Sequence, residues 1–235
     1  MIVMNRIKTG IPGYDPIIDG GYIPNSVNLI SGGAGTGKTI FSLQFLWNGL
    51  TKFLEPSIYI SFEENINDLR SDAMAMGWDF SKYEEKGKFK FLYHAPYEIE
   101  SFIDVLEKEV RSINAKRIVI DSTSSFGMAL KDEYEVRRKL YELIASLKKM
   151  DCCSLLTSEI IDYGNSEGIG KLSRFNVEEF VCDSVSVLYF AGLGGSSDRS
   201  IRVVKSREIN QKKGLFPLKI TNKGIKINLK KDIYD

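Results

Sequence analysis

The sequence is short of the residues that most metal and redox chemistry needs. It has one histidine, His94, and three cysteines, Cys152, Cys153 and Cys182, in 235 residues. No cysteine or carboxylate stands at ligand spacing from His94, so it reads as a structural residue. An odd number of cysteines without metal-type spacing, each in or beside an apolar strand-like run, reads as buried reduced thiols. No apolar stretch approaches the ~18–20 residues that a membrane span requires. The opening Met1-Ile2-Val3-Met4-Asn5-Arg6 lacks a secretory design, and the expected location is the cytoplasm, away from membranes. The 32 Lys and Arg against 31 Asp and Glu leave a formal charge of +1. No global field therefore draws the chain to nucleic acid or lipid. Internal repeats and low-complexity tracts are missing as well.

What is present is an ordinary globular composition, 43% hydrophobic and 27% charged. The length suits one large α/β domain over residues 1–235. Its centre is Val27-Asn28-Leu29-Ile30-Ser31 followed by Gly32-Gly33-Ala34-Gly35-Thr36-Gly37-Lys38-Thr39. That run fits G-x-x-x-x-G-K-[ST] between an apolar strand and a helix-like segment. A polyphosphate needs many donors in a small volume. Gly33, Ala34, Gly35, Thr36 and Gly37 carry little side chain, so backbone N–H groups can turn inward at a helix N-terminus. Lys38 then supplies a mobile charge to the β- and γ-phosphates, and the Thr39 hydroxyl a ligand for Mg²⁺.

After this loop, residues 38–53 and 66–76 read as helices. Ser57–Phe62 and Phe89–Tyr93 read as strands. Ile99, Phe102, Ile103, Leu106, Val110 and Ile113 recur at helical spacing, as do Val136, Leu140, Leu143, Ile144 and Leu147. Each helix precedes a β-like run, Arg117–Asp121 and Cys153–Ser158. The alternation predicts a mainly parallel central sheet with helices on both faces. Runs beginning at Val185, Ile201, Phe216 and Ile225 follow in quick succession, and they predict an antiparallel extension of that sheet. Residues 162–176, with Gly164, Gly168 and Gly170, read as a mobile loop. Residues 1–26 read as an ordered lead-in rich in turns.

Catalysis needs a metal anchor and a water activator beside the phosphate loop. Asp121 ends an apolar strand, where a carboxylate can hold the Mg²⁺ shell. Glu63 and Glu64 end another strand. In an open parallel sheet they face the same crevice, so one of them can serve as general base. Thr157 or Ser158, ending the strand after that of Asp121, can meet the γ-phosphate or the water.

These residues resemble the KaiC-like branch of RecA-type P-loop ATPases. The resemblance rests on Thr9-Gly10-Ile11-Pro12-Gly13-Tyr14-Asp15, Gly20-Gly21, Ser31 through Thr39, Phe62-Glu63-Glu64, Ile120-Asp121-Ser122 and Lys205-Ser206-Arg207. It spans nearly the whole chain as a single copy of a domain that KaiC carries twice. It implies a RecA-like fold and a ring of copies, commonly six, with ATP held between neighbours. Lys205 and Arg207 match a Lys-x-Arg that reaches the adjacent copy's γ-phosphate, and Ile220-Thr221-Asn222 matches a segment near the nucleoside. Where the self-phosphorylated half of KaiC has adjacent Ser and Thr, this chain has Glu179-Phe180, so no autophosphorylation is expected there.

The implied activity is a regulatory or signalling Mg²⁺-dependent ATPase. One rival is a recombination-type ATPase with Lys171 and Arg174 of the 162–176 loop on DNA. The neutral charge and the lack of an aromatic–basic cluster in the loop weigh against it. The other rival is a nucleotide-gated scaffold that signals to a partner protein, with hydrolysis incidental.

Overall fold

Alternation along the central strands sets the layers. In β4 (Arg117–Asp121) the side chains of Ile118 and Ile120 pack to one side of the sheet and Val119 to the other. Both faces are therefore covered, as a parallel sheet requires. The computed structural model describes residues 5–98, 101–125, 130, 132–160, 171–192 and 198–229. The other strands are β1 (Val27–Gly32), β2 (Ser57–Ser61), β3 (Phe89–Tyr93), β5 (Cys153–Glu159), β6 (Ser184–Phe190), β7 (Arg199–Ser206), β8 (Phe216–Thr221) and β9 (Gly224–Ile227). They form one sheet in the order β3-β2-β4-β5-β1-β6-β7-β8-β9. The helices are α1 (Lys38–Lys52), α2 (Ile66–Ala75), the short α3 (Ser81–Glu84), α4 (Phe102–Ile113), α5 (Glu133–Leu147) and the short α6 (Glu178–Val181).

The α/β class, the parallel centre and the helix–strand alternation agree with the sequence reading. One strand differs. β6 pairs parallel with β1, and the chain reverses only at β7, which pairs antiparallel with β6. The long connection from β5, which carries α6, gives room for the crossover that parallel pairing needs. Most of the expected 162–176 loop, residues 162–170, lies outside the described residues, as do Ile99 and the first four residues. The three thiols are buried and free. Burial pushes Cys152 and Cys153 up to about 12 and Cys182 further up. His94 is tied to the Glu98 carbonyl oxygen at 3.0 Å and packs edge-on to Phe62, a structural place. No helix among the described residues is long and apolar enough to cross a membrane.

The lead-in is a plug on the α1 face. The Asp15 carboxylate accepts from the Thr9 N–H and hydroxyl at 2.8 and 2.6 Å and from the Gly10 N–H at 3.0 Å. This closes the Thr9–Asp15 turn. At Gly13, with φ +85°, a Cβ would lie 2.2 Å from the Ile227 carbonyl oxygen. Only glycine lets the turn lie this close to β9. The buried Tyr14 hydroxyl is 2.7 Å from that of Ser186 on β6, which pins the plug to the sheet.

Arg117 joins three segments. Fully buried, it donates to the Glu55 carboxylate at 2.5 Å, to Phe45 O at 2.8 Å and to Lys8 O at 2.7 Å. Its guanidinium lies 4.5 Å from the Phe45 ring centroid. Truncation strands two carbonyls and a carboxylate and leaves a void, so Arg117→Ala should cost about 3–5 kcal/mol. Urea unfolding measures this. A loss under about 1 kcal/mol would show that the cluster is dispensable.

Candidate functional site

The site is built where β1 gives way to α1. Gly35 and Gly37 take left-handed backbone conformations, φ +70° and +102°, which lets the loop close on itself. A Cβ on Gly37 would lie 3.0 Å from the Ile220 side chain, which closes one flank. The Thr36 hydroxyl donates to the Gly33 carbonyl oxygen at 2.9 Å. Lys38 folds back over the loop and donates to the carbonyls of Gly32 and Gly33 at 3.0 and 2.9 Å. Burial lowers its pKa, while Asp121, Glu159, Glu63 and Glu64 pull the other way.

The sheet order brings three more strand ends to this loop. β2 and β4 run in register with Ser61 beside Asp121, and β1 and β5 with Gly32 beside Glu159. The Asp121 carboxylate is held on both oxygens. Oδ2 accepts from Thr39 Oγ1 at 3.1 Å and from the Tyr59 hydroxyl at 2.5 Å, and Oδ1 accepts from Thr157 Oγ1 at 2.5 Å. Burial, then the Asp121 charge, raises the Tyr59 pKa well above normal, so Tyr59 stays a donor.

Glu63 Oε1 accepts from the hydroxyls of Ser122 and Ser125 at 3.0 and 2.5 Å. Glu64 as a residue reaches solvent, but its carboxyl end is partly dehydrated. That dehydration raises its pKa, and the charges of Asp121, Asp72 and Glu63 add to the effect. The cleft between these groups has a volume of about 590 Å³ and is lined by Ala34, Gly35, Lys38, Thr39, Glu63, Glu64 and Asp121, with Ile220 on its flank. That is ample for a nucleotide.

Two of the expected binding residues fall elsewhere. Ser158 is fully buried, and its hydroxyl donates to Glu178 at 2.9 Å. Side chains alternate along β5, so Thr157 takes the cleft side and Ser158 the other. Asn222 sits in the exposed β8–β9 turn, outside the cleft lining. Lys205 and Arg207 are also remote from their own loop. β7 runs antiparallel to β6, so Arg199 pairs with Phe190 near the loop and Lys205 with Val185 at the far end. Six residues of strand separate Arg199 from Lys205 by about 20 Å. Lys205 Nζ donates to the carbonyls of Glu179 and Phe180 at 2.9 and 3.0 Å, and Arg207 donates to that of Phe180 at 3.2 Å.

The structure adds residues that the sequence did not single out. Arg199 donates from Nε to the Gly35 carbonyl oxygen at 3.2 Å, with its guanidinium 4.0 Å from the Phe190 ring centroid. Asp72 and Glu159 also line the cleft, beside Ser122 of the Ile120-Asp121-Ser122 motif.

The family model described as "ATPase: KaiC" matches residues 7–232. The chain belongs to the KaiC family of ATPases. It is 34% identical over 232 residues to the circadian clock oscillator protein KaiC of Synechococcus elongatus, a match that covers 94% of this chain and 44% of that protein. To KaiC of Nostoc sp. it is 34% identical over 234 residues, covering 95% and 44%. The chain thus spans less than half the length of these KaiC relatives. The crystal structure of a KaiC-like protein from the hyperthermophilic archaeon Pyrococcus horikoshii OT3 superposes with a TM-score of 0.85 at 35% identity, covering 96% of this chain and 99% of that one. KaiC-family membership accounts for the RecA-like fold and the glycine-rich loop together.

The residues present suit the metal and the nucleotide that a KaiC ATPase implies. Thr39 Oγ1 and the Asp121 carboxylate are hard oxygen donors 3.1 Å apart, the kind Mg²⁺ takes alongside phosphate and water. Tyr59 and Thr157 orient that carboxylate, as supporting partners of metal ligands do.

Proposed function

We propose that this chain is a Mg²⁺-dependent ATPase domain of the cytoplasm that hydrolyses ATP between adjacent copies of a ring, six in number, with a regulatory or signalling output. The observation that carries this reading is the division of cations along β7. Arg199 stands over the chain's own loop, while Lys205 lies towards the opposite end of the same strand and Arg207, 3.6 Å from the Asp183 carboxylate, just past that end. Within one copy those two cations have no phosphate to serve. In a head-to-tail assembly they reach the next copy's cleft.

ATP lies with its phosphates in the 33–39 loop and under Lys38, and its nucleoside is directed towards Ile220. Thr39 and Asp121 would hold Mg²⁺, which when bound would neutralise charge on the triphosphate. Of the pair at the end of β2, Glu63 is fixed by Ser122 and Ser125, and Glu64 has a raised proton affinity. One of them takes the proton of the attacking water. Lys205 and Arg207 of the neighbour stabilise the charge that develops in transfer.

Mixing two inactive variants tests the shared site. Lys38→Ala removes the phosphate grip and Lys205→Ala/Arg207→Ala removes the neighbour's charges. In a mixed oligomer some interfaces combine an intact loop with intact cations. The expected result is ATP hydrolysis in the mixture that neither variant shows alone. A mixture as inactive as its components, with both variants folded and co-assembled, would place the whole site within one copy.

A further inference from the structure

Two apolar features stand uncovered at the two ends of this proposed contact. On α6, Phe180 is 66% exposed beside an apolar groove formed with Leu172, Val185 and Val204. At the other rim Tyr93 and Tyr97, 55% and 79% exposed, form with Pro96 an apolar recess of about 410 Å³, floored by Phe62 and opening beside Glu63. Exposed aromatic groups gathered in this way mark contact surfaces more often than idle ones.

Each feature adjoins a charged group of the ATPase reading. The Phe180 carbonyl oxygen accepts from both Lys205 and Arg207 at 3.0 and 3.2 Å, so the exposed ring and the two cations form one unit. The recess, for its part, shares Glu63 with the nucleotide cleft. The geometry points to a head-to-tail contact between two copies of this chain, in which Phe180 of one seats in the Tyr93–Pro96–Tyr97 recess of the next.

Charge selects the occupant. The cleft lining carries five carboxylates, Glu63, Glu64, Asp72, Asp121 and Glu159, against the two cations Lys38 and Arg199, and the α6 end of the sheet offers Lys205 together with Arg207, which lies 3.6 Å from the Asp183 carboxylate. A copy drawn by that complementarity brings its Phe180 within a side chain's length of the recess. The two patches differ, so the contact is heterologous and repeats from copy to copy, closing into a ring where the rotation between copies allows it. Seating Phe180 dries the outer side of Glu63, because Phe62 and Tyr93 flank that residue. Assembly thereby prepares the carboxylate for its work. This inference rests on the proposal that ATP is held between copies.

A cysteine pair tests the seating. Phe180→Cys with Tyr97→Cys in one chain should give a ladder of covalent multimers with a short bismaleimide when ATP and Mg²⁺ are present. The three native thiols are buried. A control pair, Phe180→Cys with Tyr134→Cys on the exposed side of α5, should give none. Phe180→Ala should raise the protein concentration for half-assembly at least about tenfold in sedimentation, while Phe180→Leu retains most of the assembly. Multimers that form with ATP in the native chain but do not cross-link through the Tyr97 pair would overturn the seating and leave the shared-site reading standing. A chain that stays monomeric at saturating ATP would overturn both.

Discussion

Lys38→Ala should weaken binding of ATP with Mg²⁺ by about two orders of magnitude, about 3 kcal/mol, when titrated by calorimetry. The magnitude follows from what the ammonium does before ATP arrives. It already bonds to the carbonyl oxygens of Gly32 and Gly33, and four carboxylates surround it. Without it the cleft becomes strongly negative and repels a triphosphate. Burial lowers the Lys38 pKa, whereas phosphates entering the loop restore its preference for the charged form. Folding is a separate matter. The bonds lost go to backbone carbonyls at an open cleft that water can reach, so unfolding should shift by no more than about 1 kcal/mol. A Lys38→Ala protein that binds ATP with parental affinity would remove the loop from the account of this protein.

Replacing both Glu63 and Glu64 with Gln should leave ATP affinity within about threefold and lower turnover by ~10²- to 10⁴-fold, the range for a positioned general base. Gln at 63 can still accept from Ser122 and Ser125 through its amide oxygen, so the local geometry survives the exchange. The charge and the proton-accepting ability do not. The pH profile separates the pair. Partial dehydration and nearby carboxylates raise the pKa of Glu64, so a base at Glu64 is lost on acidification at higher pH than an ordinary glutamate would be. If Glu64 is the base, Glu63→Gln removes one of the charges that raise that pKa, and the acid limb of kcat/KM moves to lower pH. If Glu63 is the base, Glu63→Gln abolishes the limb along with turnover. A double variant that hydrolyses ATP at the parental rate would show that the proton goes elsewhere.

Much of this architecture was legible because periodicity and spacing are local. Val27–Ile30 into Gly32–Thr39 states strand, turn and helix within thirteen residues, and the amphipathic α4 and α5 state which side faces the sheet. Pairing is not local. β6 reads like its antiparallel successors, and its parallel pairing with β1 is a tertiary choice that no local pattern carries. The choice between Thr157 and Ser158 turned on strand parity, which the register of β5 against β4 decides. Tyr59 hid within the run Ile58-Tyr59-Ile60 as one more buried apolar residue. Its hydroxyl was the clue, since a buried tyrosine seeks a polar partner. Asp121 is that partner, 62 positions away in sequence. Arg199 gave no local signal at all, because its role follows from the reversal of direction between β6 and β7.

That reversal also bears on communication. One eight-residue strand, β7, touches the chain's own phosphate loop through Arg199 at its start and, in the proposed ring, offers Lys205 to the adjoining copy near its end. In a closed oligomer each such strand is a rigid strut between successive nucleotides. A tilt of a few degrees when one pocket empties would displace the cations in the next, so occupancy could pass around the circle by leverage, with no separate relay domain.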